Sequence, residues 1–414
     1  MKVHIGELIA KADTEVLKLN HAPSTLMQYR WAWHRFEVFC TEEGITELTG
    51  DALVLYVQFL ATALREGRFK EWKYKLLRKT ALVLSEVNET GTYQWKLSKH
   101  AGPNDVLDQV FRPVQEHFEG WLTQQGLAQA TQDLYATVGR RTLASWQGRK
   151  IPGPAALTGP DVAAALVSLG DSYQPGSMRT VLSAVRVLCR FLEESQGCSG
   201  LVRAVPRIVS RRVRHVSVLP TETIDVLTNS PDPSKVVGRR DRAMLLLGAR
   251  TGLRPVDIVA LRLQDIDWRQ GHITLAQHKT GAVLALPLLA DVGEAIADYL
   301  LHDRATGAND EHVFLRAQAP YIALASSGSL YEVAARAFAT AGVADQPHRG
   351  RGFRVLRASL ATRMLEGDTP LPVISGALGH RGISSAKHYL SADDERMREC
   401  CLDFVGIEPG RTLS

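Results

Sequence analysis

Residues 243–263 read AMLLLGARTGLRPVDIVALRL, and residues 271–286 read GHITLAQHKTGAVLAL. The first stretch opens on an unbroken apolar run, Ala243 to Leu247. Its lack of a polar face predicts a buried helix over 241–249, closed at Thr251-Gly252. A second short helix is predicted over 256–263. The other stretch holds two alternating runs, 271–275 and 282–286. They predict antiparallel strands joined by a turn at Lys279-Thr280-Gly281. Two helices feeding a hairpin make an α+β unit with a small antiparallel sheet.

Working outward, Val313-Phe314-Leu315 predicts a third strand. Helices are predicted near 328–341, 355–366, 370–378 and 384–390, with Gly367 and Gly379 at C-cap positions. Upstream, Leu219-Pro220-Thr221 starts a helix with Thr221 as N-cap. Before that the chain reads as two helical segments, about 8–89 and 106–197, with a polar linker over 90–104 between them and an extended basic connector over 203–214 after them. Leu26, Tyr29, Trp33, Phe36 and Phe39 recur at three- and four-residue spacing, and so do Val181, Val185, Leu188 and Leu192. Thr25 and Tyr29 are echoed by Thr131 and Tyr135. Leu48-Thr49-Gly50-Asp51 is echoed by Leu157-Thr158-Gly159 with Asp161 close behind. These echoes raise an internal duplication. The expected fold class is mostly α and multidomain: helical N-terminal domains plus an α+β domain. The expected boundaries are a first helical domain over 1–100, a second over 105–200, a basic linker over 201–217 and the α+β domain over 218–414.

The 414 residues suit two to three domains, and 45% apolar with 22% charged residues is ordinary for a globular chain. Apolar runs are far too short for a membrane span, and Glu7 and Asp13 interrupt any signal peptide, so a cytoplasmic, membrane-free protein is expected (nucleoid-associated in a bacterium). The five cysteines include no C-x-x-C pair, which favours reduced thiols over a disulfide or zinc framework. Lys and Arg number 49 against 44 Asp and Glu, a net charge of +5. The excess is local. Arg203, Arg207, Arg211, Arg212 and Arg214 fall in one acid-free stretch. Arg349, Arg351, Arg354, Arg357 and Arg363 fall in another. Both fit a polyanionic partner, the first also a plain solvated linker.

Five residues carry chemistry when taken together. Singly, Arg254, Lys279, Arg357, His380 and Tyr389 have ordinary explanations as ion pair, turn residue, helix surface, helix end and packing. As a set they suit transesterification at a DNA phosphodiester. A tyrosine, with a pKa of about 10, is a weak nucleophile near neutrality. Cations around the phosphate would stabilise both its phenolate and a pentacoordinate transition state. Two guanidinium forks match the non-bridging oxygens, and a lysine can protonate the leaving oxygen. No acidic cluster suited to Mg²⁺ accompanies them in the sequence, so no cofactor is expected.

On these residues the segment from about 240 to 405 resembles the catalytic domain of tyrosine recombinases, the phage integrase family. Thr251-Gly252-Leu253-Arg254-Pro255-Val256-Asp257-Ile258 resembles the family's first-arginine motif. Lys279-Thr280-Gly281 resembles its hairpin-tip lysine, and Leu356-Arg357 with Ser359-Leu360-Ala361-Thr362 its second-arginine helix. Leu378-Gly379-His380 and Tyr389, nine residues on, resemble its ending. Two positions depart. Arg354 stands where the family usually has a histidine; it keeps the charge but cannot exchange a proton near neutrality. Ala358 stands where a second histidine is common.

The resemblance implies a site-specific DNA recombinase or integrase, independent of metal and ATP. Tyr389 would form a 3′-phosphotyrosyl link. Arg254, Arg354 and Arg357 would hold the phosphate, Lys279 would act as general acid and His380 would hydrogen-bond the phosphate. Residues 106–197 resemble the family's core-binding domain, and 8–89 a second copy or an arm-like extension. Arg203, Arg207, Arg211, Arg212, Arg214, Arg349 and Arg351 would contact DNA. The implied partners are double-stranded DNA and a homotetramer on it, with other recombinases joining if the chain belongs to a set carried on a transposable element. Two alternatives stay open: a catalytically impaired DNA-binding accessory subunit and a type IB topoisomerase-like enzyme.

Overall fold

The computed structural model describes residues 4–93, 95, 106–207, 217–306, 308, 310–324, 328–343, 352–380 and 382. The chain divides into two compact units, Met1–Arg211 and Arg212–Ser414.

The first unit holds two sets of four long helices, each with its own core. The first set is α1 (Ile5–Leu17), α2 (Pro23–Glu42), α3 (Gly50–Arg65) and α4 (Glu71–Thr90). The second is α5 (Arg112–Gln124), α6 (Gln129–Gly148), α7 (Gly159–Ser172) and α8 (Met178–Ser195). A short α9 (Leu201–Ala204) follows. Helix by helix the sets match in order and nearly in length, and the same positions point inward. Ile5, Leu8, Ala12 and Val16 are buried in α1. The residues 106 further on, Phe111, Val114, Phe118 and Leu122, are buried at and within α5. Tyr74, Leu77, Ala81 and Leu84 of α4 correspond, 108 residues on, to buried Leu182, Val185, Cys189 and Leu192 of α8. An amphipathic helix buries one stripe set by its 3.6-residue period, so matching stripes mean matching packing.

The echoed turn shows how local chemistry adapts. In α3 the Thr49 hydroxyl accepts from the backbone N–H of Ala52 at 3.1 Å. In α7 the extra Pro160 moves the acid one place on, to the third helical position. There the Asp161 carboxylate accepts from the backbone N–H of Thr158 at 3.0 Å, one arm of a capping box. The stretch after α8 is not extended throughout. Leu201 and Val205 are buried in the second core, and Arg186 donates to the Pro206 carbonyl at 2.8 Å.

The second unit runs α10 (Thr221–Asn229), α11 (Gly238–Thr251), α12 (Pro255–Ala260), β1 (Ile266–Asp267), β2 (His272–Ala276), β3 (Val283–Pro287), α13 (Ala290–His302), α14 (Gly328–Thr340), α15 (Phe353–Glu366) and α16 (Leu371–Ala377). Helix α11 is its axis. Residues Ala243 to Ala249 are all buried, as a run without a polar face requires. Charges at its start are therefore paired: Asp241 accepts from Arg240 at 3.0 Å and from Arg336 at 2.6 Å. The sheet has order β1-β2-β3, antiparallel, with Ile273 opposite Leu286 and Leu275 opposite Leu284. Those four point inward, and His272, Thr274 and Ala276 point out.

The chain is thus mostly helical with one small antiparallel sheet, as expected, but details differ. The hairpin strands start one residue later than the alternation suggests. The third strand is Ile266–Asp267 rather than 313–315. Val313, Phe314 and Leu315 are all buried and make only isolated bridges nearby. A run with every side chain inward carries no alternation to separate strand from core loop, and a two-residue strand is too short to show a period. Pro220, not Thr221, sits at the N-cap of α10, and Thr221 makes no capping bond. Gly367 is the C-cap of α15, as expected, and the left-handed residue follows it at Asp368. The helix expected near 384–390 lies outside the described residues. No described helix is long and apolar enough to cross a membrane.

Candidate active site

Arg357 lies on the inner side of α15 and is 8% exposed. Burying a guanidinium requires acceptors for its donors. Its Nη1 donates to the Gly252 carbonyl at 2.6 Å and its Nη2 to the Leu378 carbonyl at 2.8 Å. Both carbonyls sit at helix ends, where the last turn leaves acceptors unused. Gly252 and Gly379 follow those helices with φ of +64° and +60°, a region that favours glycine. At Gly252 an added methyl would also press on Leu378 and Leu360. The two Gly-terminated helix ends therefore build the bed for Arg357.

Arg254 approaches the same bed from the N-cap of α12. Its Nη2 donates to the Gly379 carbonyl at 3.2 Å. Asp257 is buried behind it with a carboxylate oxygen 3.9 Å from Nη1. Neither Arg254 Nη1 nor Asp257 Oδ2 has a hydrogen-bond partner among the described residues. His380 follows Gly379, half-buried, with its backbone N–H on the Ser375 carbonyl at 2.9 Å. Two guanidiniums and a histidine are thus gathered on residues 378–380.

Lys279 is exposed at the β2–β3 turn. The turn is anchored from below twice. Asp257 Oδ1 accepts from the backbone N–H of His278 at 2.8 Å. Gln277, 1% exposed, donates to the Leu378 carbonyl at 3.3 Å and accepts from the Thr280 hydroxyl at 2.8 Å. The Leu378 carbonyl therefore serves both Arg357 and Gln277. The Gln277 amide also occupies the space that a side chain at Gly379 would need. Sequence reasoning passed over Gln277, yet a signal was there. It continues the inward parity of Ile273 and Leu275, a polar residue on an apolar face.

Of the expected site residues, Arg254, Arg357 and His380 come together, with the Lys279 turn tied to the same backbone. Arg354 does not join them. It is exposed on the first turn of α15 and makes no hydrogen bond or ion pair to another described residue. Ala358 is buried in a small cluster with Ala361, Leu365, Ile374 and Leu378. Arg203 and Arg207 are exposed. Tyr389, Arg211, Arg212, Arg214, Arg349 and Arg351 lie outside the described residues.

A bed of this kind presents cationic donors to a tetrahedral or pentacoordinate anion. Comparison with known proteins agrees in kind. Residues 218–396 match the model of the phage integrase family. The chain is 39% identical over 194 residues to the integrase/recombinase y4gC of Sinorhizobium fredii, covering 46% of this chain and 97% of that one. It is 29% identical over 314 residues to tyrosine recombinase XerD of Mycobacterium tuberculosis, covering 72% of this chain and 97% of the relative. Among solved structures, a lambda integrase tetramer bound to a Holliday junction shares the fold at a TM-score of 0.51 and 19% identity, over 76% of this chain and 86% of that one.

Proposed function

The chain belongs to the phage integrase family, the tyrosine recombinases, and we propose that it cuts and rejoins DNA at defined sites through a 3′-phosphotyrosyl intermediate. The observation that carries this reading is the shared backbone of residues 378–380. It takes hydrogen bonds from Arg254, Arg357 and Gln277, drawn from three separate segments.

In this reading Arg254 and Arg357 hold the non-bridging oxygens of the scissile phosphate. The buried, unmatched Nη1 of Arg254 is a donor still to be used. Tyr389 attacks phosphorus. The P–O5′ bond breaks, Lys279 gives its proton to the departing 5′ oxygen, and the tyrosine proton passes to solvent or a nearby base. Fixed guanidiniums stabilise the added charge on the phosphorane without having to reorganise. Transesterification keeps one phosphoester for each one broken, so religation needs no ATP. Arg354 adds positive charge near the DNA backbone as a surface residue. Arg203, Arg207, Arg211, Arg212, Arg214, Arg349 and Arg351 act as phosphate contacts, which position without specifying sequence. Residues 1–100 and 105–200 act as two helical domains ahead of a linker over 201–217 and the catalytic domain over 218–414. A homotetramer on paired DNA sites completes the strand exchange.

The test is covalent trapping. Purified protein is mixed with nicked, labelled duplexes tiled across the DNA flanking its gene and resolved on denaturing gels. A denaturant-stable adduct in wild type that disappears in Tyr389→Phe is the expected result. Tight binding with no adduct would overturn the catalytic reading in favour of an accessory DNA-binding subunit. Relaxation of supercoiled plasmids without site preference would favour a topoisomerase.

A further inference from the structure

The two helical sets differ at one junction, between their first and second helices. In the first set an ion pair closes it. Arg30 of α2 donates from Nε and Nη2 to the two carboxylate oxygens of Asp13 of α1, each at 2.8 Å. This is the bidentate way in which a carboxylate takes a guanidinium. The residues Ile9, Leu17, Leu26, Met27 and Trp31 on the same two helices are apolar.

The 106-residue offset that aligns the buried stripes of the two sets carries Asp13 to Glu119 and Arg30 to Ala136. The carboxylate is kept and the guanidinium is gone. A cavity of about 390 Å³ lies there, its lining including Glu119, Gln132, Asp133, Ala136, Thr137 and Arg140. Its volume is that of a small-molecule site. The neighbouring positions have turned polar with it. Ile9, Leu17, Leu26, Met27 and Trp31 correspond to Gln115, Thr123, Gln132, Asp133 and Thr137.

Glu119 keeps an open side. Its Oε1 accepts from Gln115 Nε2 at 2.5 Å and from Arg140 Nη2 at 3.1 Å. Arg140 lies one turn beyond the Arg30 position and donates to that oxygen alone, while Oε2 accepts from no described residue. Gln115 is 5% exposed, and its Nε2 also donates to the Ala136 carbonyl at 3.0 Å. Its amide thus bridges the two residues whose first-set counterparts form the ion pair. Its Oε1 is buried with no hydrogen-bond partner among the described residues.

Charge decides the ligand. Two carboxylates, Glu119 and Asp133, face one guanidinium, Arg140, and the unmatched buried atom is an acceptor. A surplus of acceptors suits a cation rich in N–H donors. An anion would meet the carboxylates, and an apolar group would strip water from them.

We propose that the α5–α6 cavity is a socket for a guanidinium group supplied from outside the helical set, seated against Glu119 as the first set seats its own Arg30 against Asp13. The group belongs to a free alkylguanidine or to an arginine side chain of a second copy of this chain. Neither DNA nor the second unit enters the argument, so it stands apart from the recombinase reading.

The experiment uses the full chain with agmatine as the probe, followed by saturation-transfer NMR on the probe's methylenes. Saturable binding to wild type is expected. Choline, a cation without N–H donors, should give none. Glu119→Gln keeps the shape and removes the charge, and should weaken agmatine at least about tenfold. Ala136→Arg rebuilds the first-set pair and should abolish agmatine binding, with the melting temperature at or above that of wild type. Circular dichroism melts check both variants, so that occupancy of the socket is told from unfolding. Agmatine at about ten times its dissociation constant should raise the melting temperature of wild type and leave Ala136→Arg unmoved. A sizing column separates the two sources. Self-association that agmatine and Ala136→Arg both dissolve would support the socket and assign the guanidinium to a second copy. Binding with elution unchanged would support it and assign the guanidinium to a free small molecule. Absence of saturable agmatine binding to wild type would overturn the proposal. So would equal binding of choline, or agmatine binding undiminished in both variants.

Discussion

Phe118 and Arg357 are both buried, yet they inform in opposite ways. Phe118 belongs to a core built twice, and the two versions differ in content. Its counterpart in the first set is Ala12, and the glycine it packs against, Gly139, has Trp33 as counterpart. Bulk carried by α2 in one set is carried by α5 in the other. Only the total volume of a core is constrained, so individual residues drift in pairs. Arg357 sits where drift is not free. Its two donors match two particular carbonyls, and its remaining surface faces the site. In the helical unit the interior is interchangeable and the distinguishing features lie on the surface. In the second unit the distinguishing features are partly interior.

That contrast is sharpest at Arg357. Arg357→Lys should lower the rate of adduct formation by at least about 10²–10³-fold, because an ammonium cannot bridge the Gly252 and Leu378 carbonyls and also present a fork to phosphate. Single-turnover trapping with a parallel thermal melt checks it. A rate within tenfold of wild type would mean that Arg357 is only a packing residue, and the contrast with Phe118 would dissolve.

The paired drift can be broken next. Phe118→Ala should destabilise the helical unit by about 3–5 kcal/mol. Gly139→Ala in the wild-type background should also destabilise, because the new methyl meets the Phe118 ring. Combined, the two should cost less than their sum, the added methyl now filling part of the cavity. Denaturant titration reads all three. Strict additivity would show that the two positions do not share one volume.

Gln277 tests the second unit more gently. Gln277→Ala frees the Lys279 turn from Leu378 without touching a site cation. Misplacing a catalytic group by about 1 Å can cost about 10²-fold, so adduct formation should fall about 10–100-fold with the melting temperature little changed. An equal loss of rate and stability would reduce Gln277 to a structural role.

The same contrast explains what the sequence disclosed. Motif order and spacing grouped Arg254, Lys279, Arg357 and His380, and the fold ties Arg254, Arg357 and the Lys279 turn to the backbone just before His380. The hairpin was legible because one sheet face is buried and the other is not. Strand β1 was not, since two residues hold no period. Arg354 read as part of the cationic set by its place in sequence, but its side of α15 is exposed, and sequence spacing alone does not report which carbonyls a helix faces. Gln277 needed two inferences together, the strand's parity and the cost of burying an amide. The basic stretch 65–79 of the first set was hidden by arithmetic: the net charge of residues 4–93 nearly vanishes. Only placing the charges on helices separates the acidic part from the basic one.

The smallest effect concerns the echoed turn, and it asks whether the two helical sets are equivalent in detail. Thr49 caps α3 alone, through its hydroxyl on the Ala52 N–H. Thr158 shares its cap with Asp161, which takes the Thr158 N–H itself. Thr49→Ala removes the side-chain acceptor outright and should cost about 1 kcal/mol. Thr158→Ala leaves the Asp161 arm of the box in place and should cost about half as much. Asp161→Ala should exceed Thr158→Ala, because it removes the acceptor and a first-turn negative charge together. Denaturant midpoints of the three variants decide it. Equal costs for Thr49→Ala and Thr158→Ala would mean that Pro160 shifted the acid without changing how the helix is held.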